Sequence, residues 1–175
     1  MLNPRELFGE IDIYLFDQIL KNRFSNKMSI LDAGCGGGRN LVYFLREGCE
    51  VFGVDQNPPA IERVRLVAKA LAPNLSPENF QVSNVEEMPF PDGRFDAVIS
   101  SAVLHFAANE RQFFGMFKEM WRVLKPEGIL FARLASSIGI EEKIERIENR
   151  RYLLPDGSER FLVDEELLIS LANQL

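Results

Sequence analysis

Three glycines alternate with other residues between a short apolar run and a helical pattern. Residues 28–31 predict a buried strand, and Gly34, Gly36 and Gly38 follow it. Glycine adopts positive φ angles and lets a backbone approach a ligand closely, so a ligand is expected on this loop. The helical pattern after the loop ends at Gly48, a residue type typical of helix ends.

Strand and helix patterns alternate along the rest of the chain. Further strands are predicted at 50–55, 80–82, 95–100 and 129–132, and helices at 58–71 and 110–124. The strands are largely apolar, as in a sheet covered on both faces. This alternation predicts an α/β fold with a doubly wound, mainly parallel sheet that binds ligands at the carboxyl ends of its strands.

Two segments flank the predicted core, which spans 28–134. Apolar residues at every fourth position predict one amphipathic helix over 4–22. The tail, 150–175, predicts a hairpin around Pro155-Asp156-Gly157 and then a helix from Asp164 to Leu175. Since no strand is predicted after that helix, the fold is expected to lack its C-terminal antiparallel strands, as in an abridged chain. A single domain over 1–175 is expected.

Composition and charge exclude some classes of partner. The apolar share of 46% and the charged share of 26% are ordinary for a globular protein. The net charge of −6 repels phosphate backbones, so a nucleic acid is not an expected partner. Arg146, Arg150 and Arg151 interleave with glutamates at 141–148, a pattern interpreted as a solvated helix face. The oligomeric state stays open.

Cysteine and histidine are rare. The chain has Cys35, Cys49 and His105 and lacks metal-ligand spacing, so no metal or disulfide framework is expected. Cys35 is interpreted as a small packed residue of the glycine loop, because its sequence neighbours include no activating His or Lys. The N-terminal residues lack a secretory pattern, and no apolar segment reaches membrane-spanning length, which favours a cytoplasmic protein without membrane contact.

An acid ends the second predicted strand. Asp55 lies 23 residues after Asp32, a spacing that suits a carboxylate accepting both hydroxyls of a ribose. Folds that bind NAD share this feature, so it indicates an adenosine ligand without choosing the cofactor. The dinucleotide fingerprint would need glycine at position 39, where the chain has Arg39. A pyrophosphate-binding loop is therefore disfavoured.

Four segments together resemble class I S-adenosylmethionine-dependent methyltransferases of the small-molecule type. Residues 30–40 resemble the first motif of that family, and 54–55 resemble its ribose-binding acid. Residues 84–96 resemble its adenine segment and fourth strand, and 122–128 the turn before strand five. Each motif alone is weak evidence for this family, but four motifs in the right order are specific evidence. The resemblance implies S-adenosylmethionine as cofactor and S-adenosylhomocysteine as product.

The resemblance also assigns roles to residues. It implies that Gly34 and Gly36 line the methionine part of the cofactor and that Gln56 lies along the adenine. Val85 would donate its backbone N–H to the ring, and Asn84 stands where the family usually has an aspartate. An amide oxygen can still accept from the adenine amino group, although without charge assistance. The candidate cofactor-binding residues are Asp32, Gly34, Cys35, Gly36, Gly38, Asp55, Gln56, Asn84, Val85 and Ser101.

Methyl transfer from a sulfonium needs mainly alignment, so no catalytic dyad is expected. His105 follows strand four at the edge where acceptors would bind, which makes it a weak candidate for a general base. Tyr14, Arg39, Arg133 and Ser136 are further candidates near the site. The Asn/Asp-Pro-Pro-Tyr motif of amine-modifying DNA methyltransferases is absent, which favours a small-molecule acceptor. A non-catalytic S-adenosylmethionine-binding module and, less favoured, an NAD-dependent oxidoreductase remain alternatives.

Overall fold

The central sheet is parallel throughout. The computed structural model describes residues 3–173. The five strands of this sheet are β1 Ser29–Ala33, β2 Glu50–Asp55, β3 Phe80–Val82, β4 Phe95–Ser101 and β5 Leu124–Arg133. They are arranged in the order β3-β2-β1-β4-β5, and each pair is parallel. The predicted doubly wound α/β fold is confirmed, with a switch point between β1 and β4 where such folds bind ligands.

Helices cover both faces of this sheet. The helices described are α1 Pro4–Phe8, α2 Ile13–Leu20, α3 Val42–Arg46, α4 Pro58–Leu71, α5 Glu110–Val123 and α6 Glu165–Ala172. On one face Ile30 packs in a cluster with α2, α3 and α4. On the other face Leu31 packs in a cluster with α5 and α6. Neighbouring residues of a strand point to opposite faces, and all five side chains of β1 are buried, so this strand is the centre of the molecule.

The N-terminal segment differs from its prediction. One helix over 4–22 was expected, but α1 and α2 are separate helices. Gly9 between them has φ +65°, and a Cβ atom there would lie 2.9 Å from Val42 Cγ2. Asp12 then caps α2, because its Oδ1 accepts from the backbone N–H groups of Tyr14 and Leu15. The apolar periodicity continues across this break, which is why the pattern alone missed it.

The tail forms a second, antiparallel sheet. Its strands are β6 Glu145–Glu148, β7 Arg151–Leu153 and β8 Glu159–Phe161. The predicted hairpin corresponds to β7 and β8. The interpretation of the charged residues around 141–151 as one helix face is wrong, because only Glu141–Lys143 form a short 3-10 helix and the residues after them form β6, a turn and the start of β7. All four residues of β6 are exposed, and the resulting run of charged residues resembles a polar helix in sequence.

The tail is fixed to the core by buried residues. The ring of Phe161 stacks on that of Phe113 of α5, with centroids 4.8 Å apart. Val163 exchanges backbone hydrogen bonds of 3.1 and 2.9 Å with Ala135 and Ser137, which follow β5. Asp164 caps α6 by accepting from the backbone N–H of Leu167. The predicted end of this helix at Leu175 lies outside the described residues.

Two further details concern the ends of elements. Asn57, which precedes α4, makes no side-chain cap, and Pro58 begins that helix. Strand β5 begins at Leu124 and contains the predicted turn at 125–128 as an irregularity, since its register against β4 shifts there. Glu127 has φ +63° at this point, which is the conformation of a turn.

Candidate functional site

A cavity of about 230 Å³ lies at the carboxyl edge of the sheet. It crosses the ends of β1, β2 and β3 and the segment after β4, which is the crevice expected of a doubly wound sheet. Its lining residues are Gly34, Asp55, Gln56, Asn84, Val85, Glu86, Ala102, Val103, Phe106, Gln112 and Met116. Five of these are predicted site residues, so segments distant in sequence meet here.

The glycine loop forms one wall of this cavity. Gly34 has φ +84°, and a Cβ atom there would lie 2.5 Å from Val103 Cγ2. The backbone N–H groups of Gly34 and Cys35 both donate to the carbonyl of Val54, at 2.8 and 2.9 Å. Gly38 has φ +83° and packs equally closely on Val64 of α4. The loop is therefore held against β2 and α4 in a conformation that favours glycine.

The other face of this loop borders a second depression, the loop groove, of about 500 Å³. Cys35, Gly36, Gly38 and Ser101 line it, as do Gly9 and Arg39. Burial together with the nearby carboxylates raises the pKa of the Cys35 thiol, so it stays protonated.

Asp55 joins the loop to the end of β2. Its Oδ2 accepts from the backbone N–H of Gly36 at 2.8 Å, and its Oδ1 accepts from the N–H of Asn57 at 2.9 Å. An ionised carboxylate has about four acceptor positions, so these bonds leave capacity for two ligand hydroxyls. Asp55 thus has a structural role in addition to the predicted ligand role.

Asp32 lies beneath the loop with its carboxylate buried. It is 1% exposed, and neither oxygen has a hydrogen-bond partner among the described residues. Burial raises the pKa of Asp32 to about 7; Arg39 opposes this shift, and Asp55 adds to it. Because an unpaired buried charge is costly, a cationic group on a ligand would stabilise this site.

The segment after β3 forms the opposite wall and is clamped to α5. The backbone N–H of Met88 donates to Glu119 Oε1 at 2.7 Å, and Arg122 Nη1 donates to the carbonyl of Phe90 at 2.8 Å. The exposed Asn84 and the buried Val85 line the cavity beside this clamp.

The cavity residues Glu86 and Gln112, whose side chains hydrogen-bond to each other, were not predicted from the sequence. Phe106 and Met116 also line the cavity without having been predicted. The signal available for Met116 was its place on the apolar stripe of α5, which indicated only core packing.

A cluster of charged and polar side chains lies beside the loop groove. Asp12 Oδ2 accepts from Ser101 Oγ at 3.0 Å and forms an ion pair with Arg133 Nε at 3.3 Å. Arg39 Nη2 donates to Ser101 Oγ at 3.2 Å and lies 3.9 Å from Asp12 Oδ2. Asn40 Oδ1 accepts from the backbone N–H of Asp12. Sequence analysis missed Asp12; a helix-capping acid before an apolar run was the available signal.

The remaining predicted residues lie further from the cavity. Tyr14, Arg133 and Ser136 line a third depression along β5, the β5 groove, of about 800 Å³. His105 is half-buried, lies outside the cavity lining, and its Nδ1 has no hydrogen-bond partner among the described residues. Burial and the charges of Arg160 and Arg133 lower the pKa of His105 to about 4, so the imidazole is neutral near pH 7.

The described residues contain no group of three or more His, Cys, Asp or Glu side chains placed to hold a metal ion. Within residues 3–173, no helix combines the length and the apolar character needed to cross a membrane.

Comparisons with known proteins agree with this geometry. Residues 31–132 match a family model described as a methyltransferase domain. An uncharacterized methyltransferase of Synechocystis sp. is 34% identical over 100 residues, which cover 57% of this chain and 43% of that relative. A thiol S-methyltransferase of Rattus norvegicus is 35% identical over 130 residues, which cover 73% of this chain and 48% of the relative. The chain thus spans less than half the length of either curated relative.

A solved structure extends the likeness to the fold. The crystal structure of a protein from Methanosarcina mazei, described among SAM-dependent methyltransferases, is 25% identical, with a TM-score of 0.69. The alignment covers 89% of this chain and 82% of that one.

Proposed function

Because the chain belongs to the methyltransferase-domain family, we propose that it binds S-adenosylmethionine and transfers the methyl group to a small-molecule acceptor. The observation that carries this proposal is the buried carboxylate of Asp32, two residues before Gly34, which has no hydrogen-bond partner within residues 3–173. The amino-acid part of S-adenosylmethionine ends in an ammonium group, which is the type of cation that this carboxylate would bind. The residues present therefore fit the cofactor.

Other residues suit the remaining parts of the same ligand. Asp55 would accept from the ribose hydroxyls, and Gln56 would lie along the adenine. Val85 would donate its backbone N–H to the adenine ring, and Asn84 would accept from the adenine amino group through its amide oxygen. All four line one cavity, which supports their acting on one molecule. Gly34 and Gly36 would border the methionine part, with Cys35, Gly38 and Ser101 behind them.

S-Adenosylmethionine, when bound, supplies a methyl group on a sulfonium that is already a good leaving group. The contribution of the chain is then to align the acceptor with that methyl group and to limit access of water. His105 stays a candidate proton acceptor for acceptors that must lose a proton, since its imidazole is neutral near pH 7. Its pKa near 4 makes it a weak base, and it does not line the cofactor cavity.

The two alternatives predict different ligands or products. An NAD-dependent oxidoreductase is disfavoured because Arg39 replaces the third glycine of the dinucleotide fingerprint and extends to Ser101. A non-catalytic binding module would bind S-adenosylmethionine without labelling any product. Incubation with S-adenosylmethionine labelled in its methyl group and a metabolite extract separates this module from an enzyme.

The binding test uses calorimetric titration of S-adenosylhomocysteine and NAD. We expect the first to bind and the second not to bind. Asp55→Ala should weaken binding of S-adenosylhomocysteine roughly tenfold for each ribose hydrogen bond lost, since charged hydrogen bonds contribute about 1.5–3 kcal/mol. Asp156→Ala, in the turn between β7 and β8, is the matched control and should bind like the wild type.

Asp55→Ala also removes the acceptor of the Gly36 and Asn57 N–H groups, so its free energy of unfolding must be measured as well. Reduced stability with unchanged affinity would contradict the ribose role. Binding of NAD in preference to S-adenosylhomocysteine would contradict the proposed function.

A further inference from the structure

The carboxylate of Asp12 lies close to two positively charged side chains, although it carries only one negative charge. Its Oδ1 accepts from backbone N–H groups of α2, which leaves Oδ2 as the oxygen that pairs with neighbouring side chains. That Oδ2 atom receives Ser101 Oγ and Arg133 Nε and lies 3.9 Å from Arg39 Nη2. Two guanidinium groups therefore share one carboxylate oxygen.

Arg133 uses only one edge of its guanidinium in this cluster. Its Nε pairs with Asp12, whereas no contact of its Nη1 or Nη2 is found among the described residues. The side chain is 44% exposed, so this free edge can be reached from solvent. Two parallel N–H groups on one edge match the geometry of a carboxylate or phosphate.

The cluster lies at the carboxyl edge of the sheet, beside the loop groove. Ser101 ends β4 and is the register partner of Arg133, which ends β5. Ligands of doubly wound folds bind at this edge of the sheet. Ser101 also lines the loop groove together with the glycines, so a ligand group on Arg133 would lie next to the cofactor loop.

The local charge differs from that of the whole chain. The chain has a net charge of −6, yet Arg39 and Arg133 both lie at the carboxylate of Asp12 here, and Arg39 also acts on the buried Asp32. A further arginine, Arg160 of β8, lies over the ring of Phe106, with 4.8 Å from its Cζ to the centroid. Glu10 also lines the loop groove and has an interaction of its own. Positive charge concentrated on an acidic protein attracts anionic ligands.

We propose that the methyl acceptor carries a carboxylate or phosphate group and that Arg133 binds this anion through its free Nη edge. This inference rests on the proposed function, because it names the class of acceptor for that site. The β5 groove beyond Arg133 is lined largely by apolar side chains, including Phe117 and Trp121, so an aromatic anion is a suitable probe.

The experiment measures probe binding to the protein saturated with S-adenosylhomocysteine. Benzoate and phenyl phosphate are titrated as the two kinds of anion, and benzamide serves as the neutral analogue. We expect at least one anion to bind ten times more tightly than benzamide. Whichever anion binds more tightly identifies the acceptor group as carboxylate or phosphate.

Variants assign the binding to the guanidinium. Arg133→Gln should weaken anion binding about tenfold or more and leave benzamide unaffected, since it removes a charged bidentate contact. Arg133→Lys keeps the positive charge but lacks the two parallel N–H groups of the guanidinium, so it should lose part of the affinity for the anions. Arg146→Gln on the exposed strand β6 is the control and should bind like the wild type.

The outcomes separate the two proposals. If the wild type does not bind S-adenosylhomocysteine, the proposed function fails and this inference fails with it. If the cofactor product binds but neither anion is preferred over benzamide, or if both Arg133 variants bind anions like the wild type, only the inference is overturned. Binding of S-adenosylhomocysteine by each variant also checks its folding. If Arg133→Gln does not fold, the anion affinity of Arg133→Lys tests the inference instead.

Discussion

The two ends of the ligand crevice are built in different ways. The proposed cofactor half, defined by Asp32, residues 34–38, Asp55 and 84–85, is shaped by backbone turns and by acids at strand ends. The proposed acceptor half, defined by Asp12, Ser101 and Arg133, is held by side-chain contacts between segments far apart in sequence. Ser101 and Asp12, for example, are 89 positions apart.

This difference has a consequence for specificity. Backbone N–H groups and positive φ angles suit one ligand shape and change little with side-chain substitution. A cluster of half-exposed arginines can be altered residue by residue without rebuilding the sheet. We therefore expect substitutions in the acceptor half to change the acceptor that binds and substitutions in the cofactor half to change cofactor affinity.

The largest expected effect concerns the buried acid of the cofactor half. The pKa of Asp32 is raised to about 7 in the folded protein, so the folded state binds a proton more tightly than the unfolded state. The stability cost is absent below about pH 4, grows as the pH rises because the unfolded carboxyl ionises while the folded one stays protonated, and levels off above about pH 7. The difference in unfolding free energy between Asp32→Asn and the wild type should therefore move by about 4 kcal/mol in favour of the variant from pH 4 to pH 8.

Urea unfolding of the ligand-free protein at several pH values measures this difference. Asp32→Asn should also bind S-adenosylhomocysteine more weakly, because the ligand ammonium loses its charged partner. A difference that does not change with pH would show that the Asp32 carboxylate is not destabilised by burial. Unchanged affinity would show that it does not bind the ligand.

The next effect tests the acceptor half. Asp12→Ala removes the cap of α2 and the acceptor shared by Ser101 and Arg133. We expect a loss of about 2 kcal/mol of unfolding free energy, of which the cap contributes about 1 kcal/mol, while solvent screening of the half-exposed arginines limits the rest. Asp17→Ala on the same helix removes the pair with Lys21 and a hydrogen bond from the neighbouring Gln18, and it is the control.

Asp17→Ala should cost less than about 0.5 kcal/mol in the same urea titration. Equal losses for the two variants would mean that neither the cap nor the contacts of Asp12 with Ser101 and Arg133 add stability, and the contrast between the two halves would then disappear.

The smallest expected effect concerns the adenine end of the proposed cofactor half. Asn84→Asp introduces the acid that the family resemblance implies at this position, and in the proposed site it would give the adenine amino group a charged acceptor. Because Asn84 is exposed, solvent screens this gain, and we expect binding of S-adenosylhomocysteine to tighten by about threefold. Asn149→Asp adds the same charge at the turn between β6 and β7 and should leave affinity unchanged. Weaker binding by Asn84→Asp would contradict the adenine contact.

Most of the fold was predictable because its signals are local. The strands β2 and β3 have their predicted bounds, since their short apolar runs are delimited by turn residues. The errors lie at 4–22 and around 141–151, where amphipathic and charged patterns do not reveal a backbone break or the partner of a strand. The break at Gly9 depends on its packing against Val42, which no local pattern encodes.

The sequence by itself determined the α/β class, the glycine loop and the position of Asp55 at the end of a strand. These features follow from periodicity and from residue types with narrow conformational preferences. Only the tertiary structure decided that the Asp32 carboxylate has no hydrogen-bond partner in the described part of the chain, that Asp12 meets Ser101 and Arg133, and that His105 lies outside the cavity lining. The physical reason is that hydrogen bonding, burial and charge pairing depend on which distant segments the folded sheet brings together.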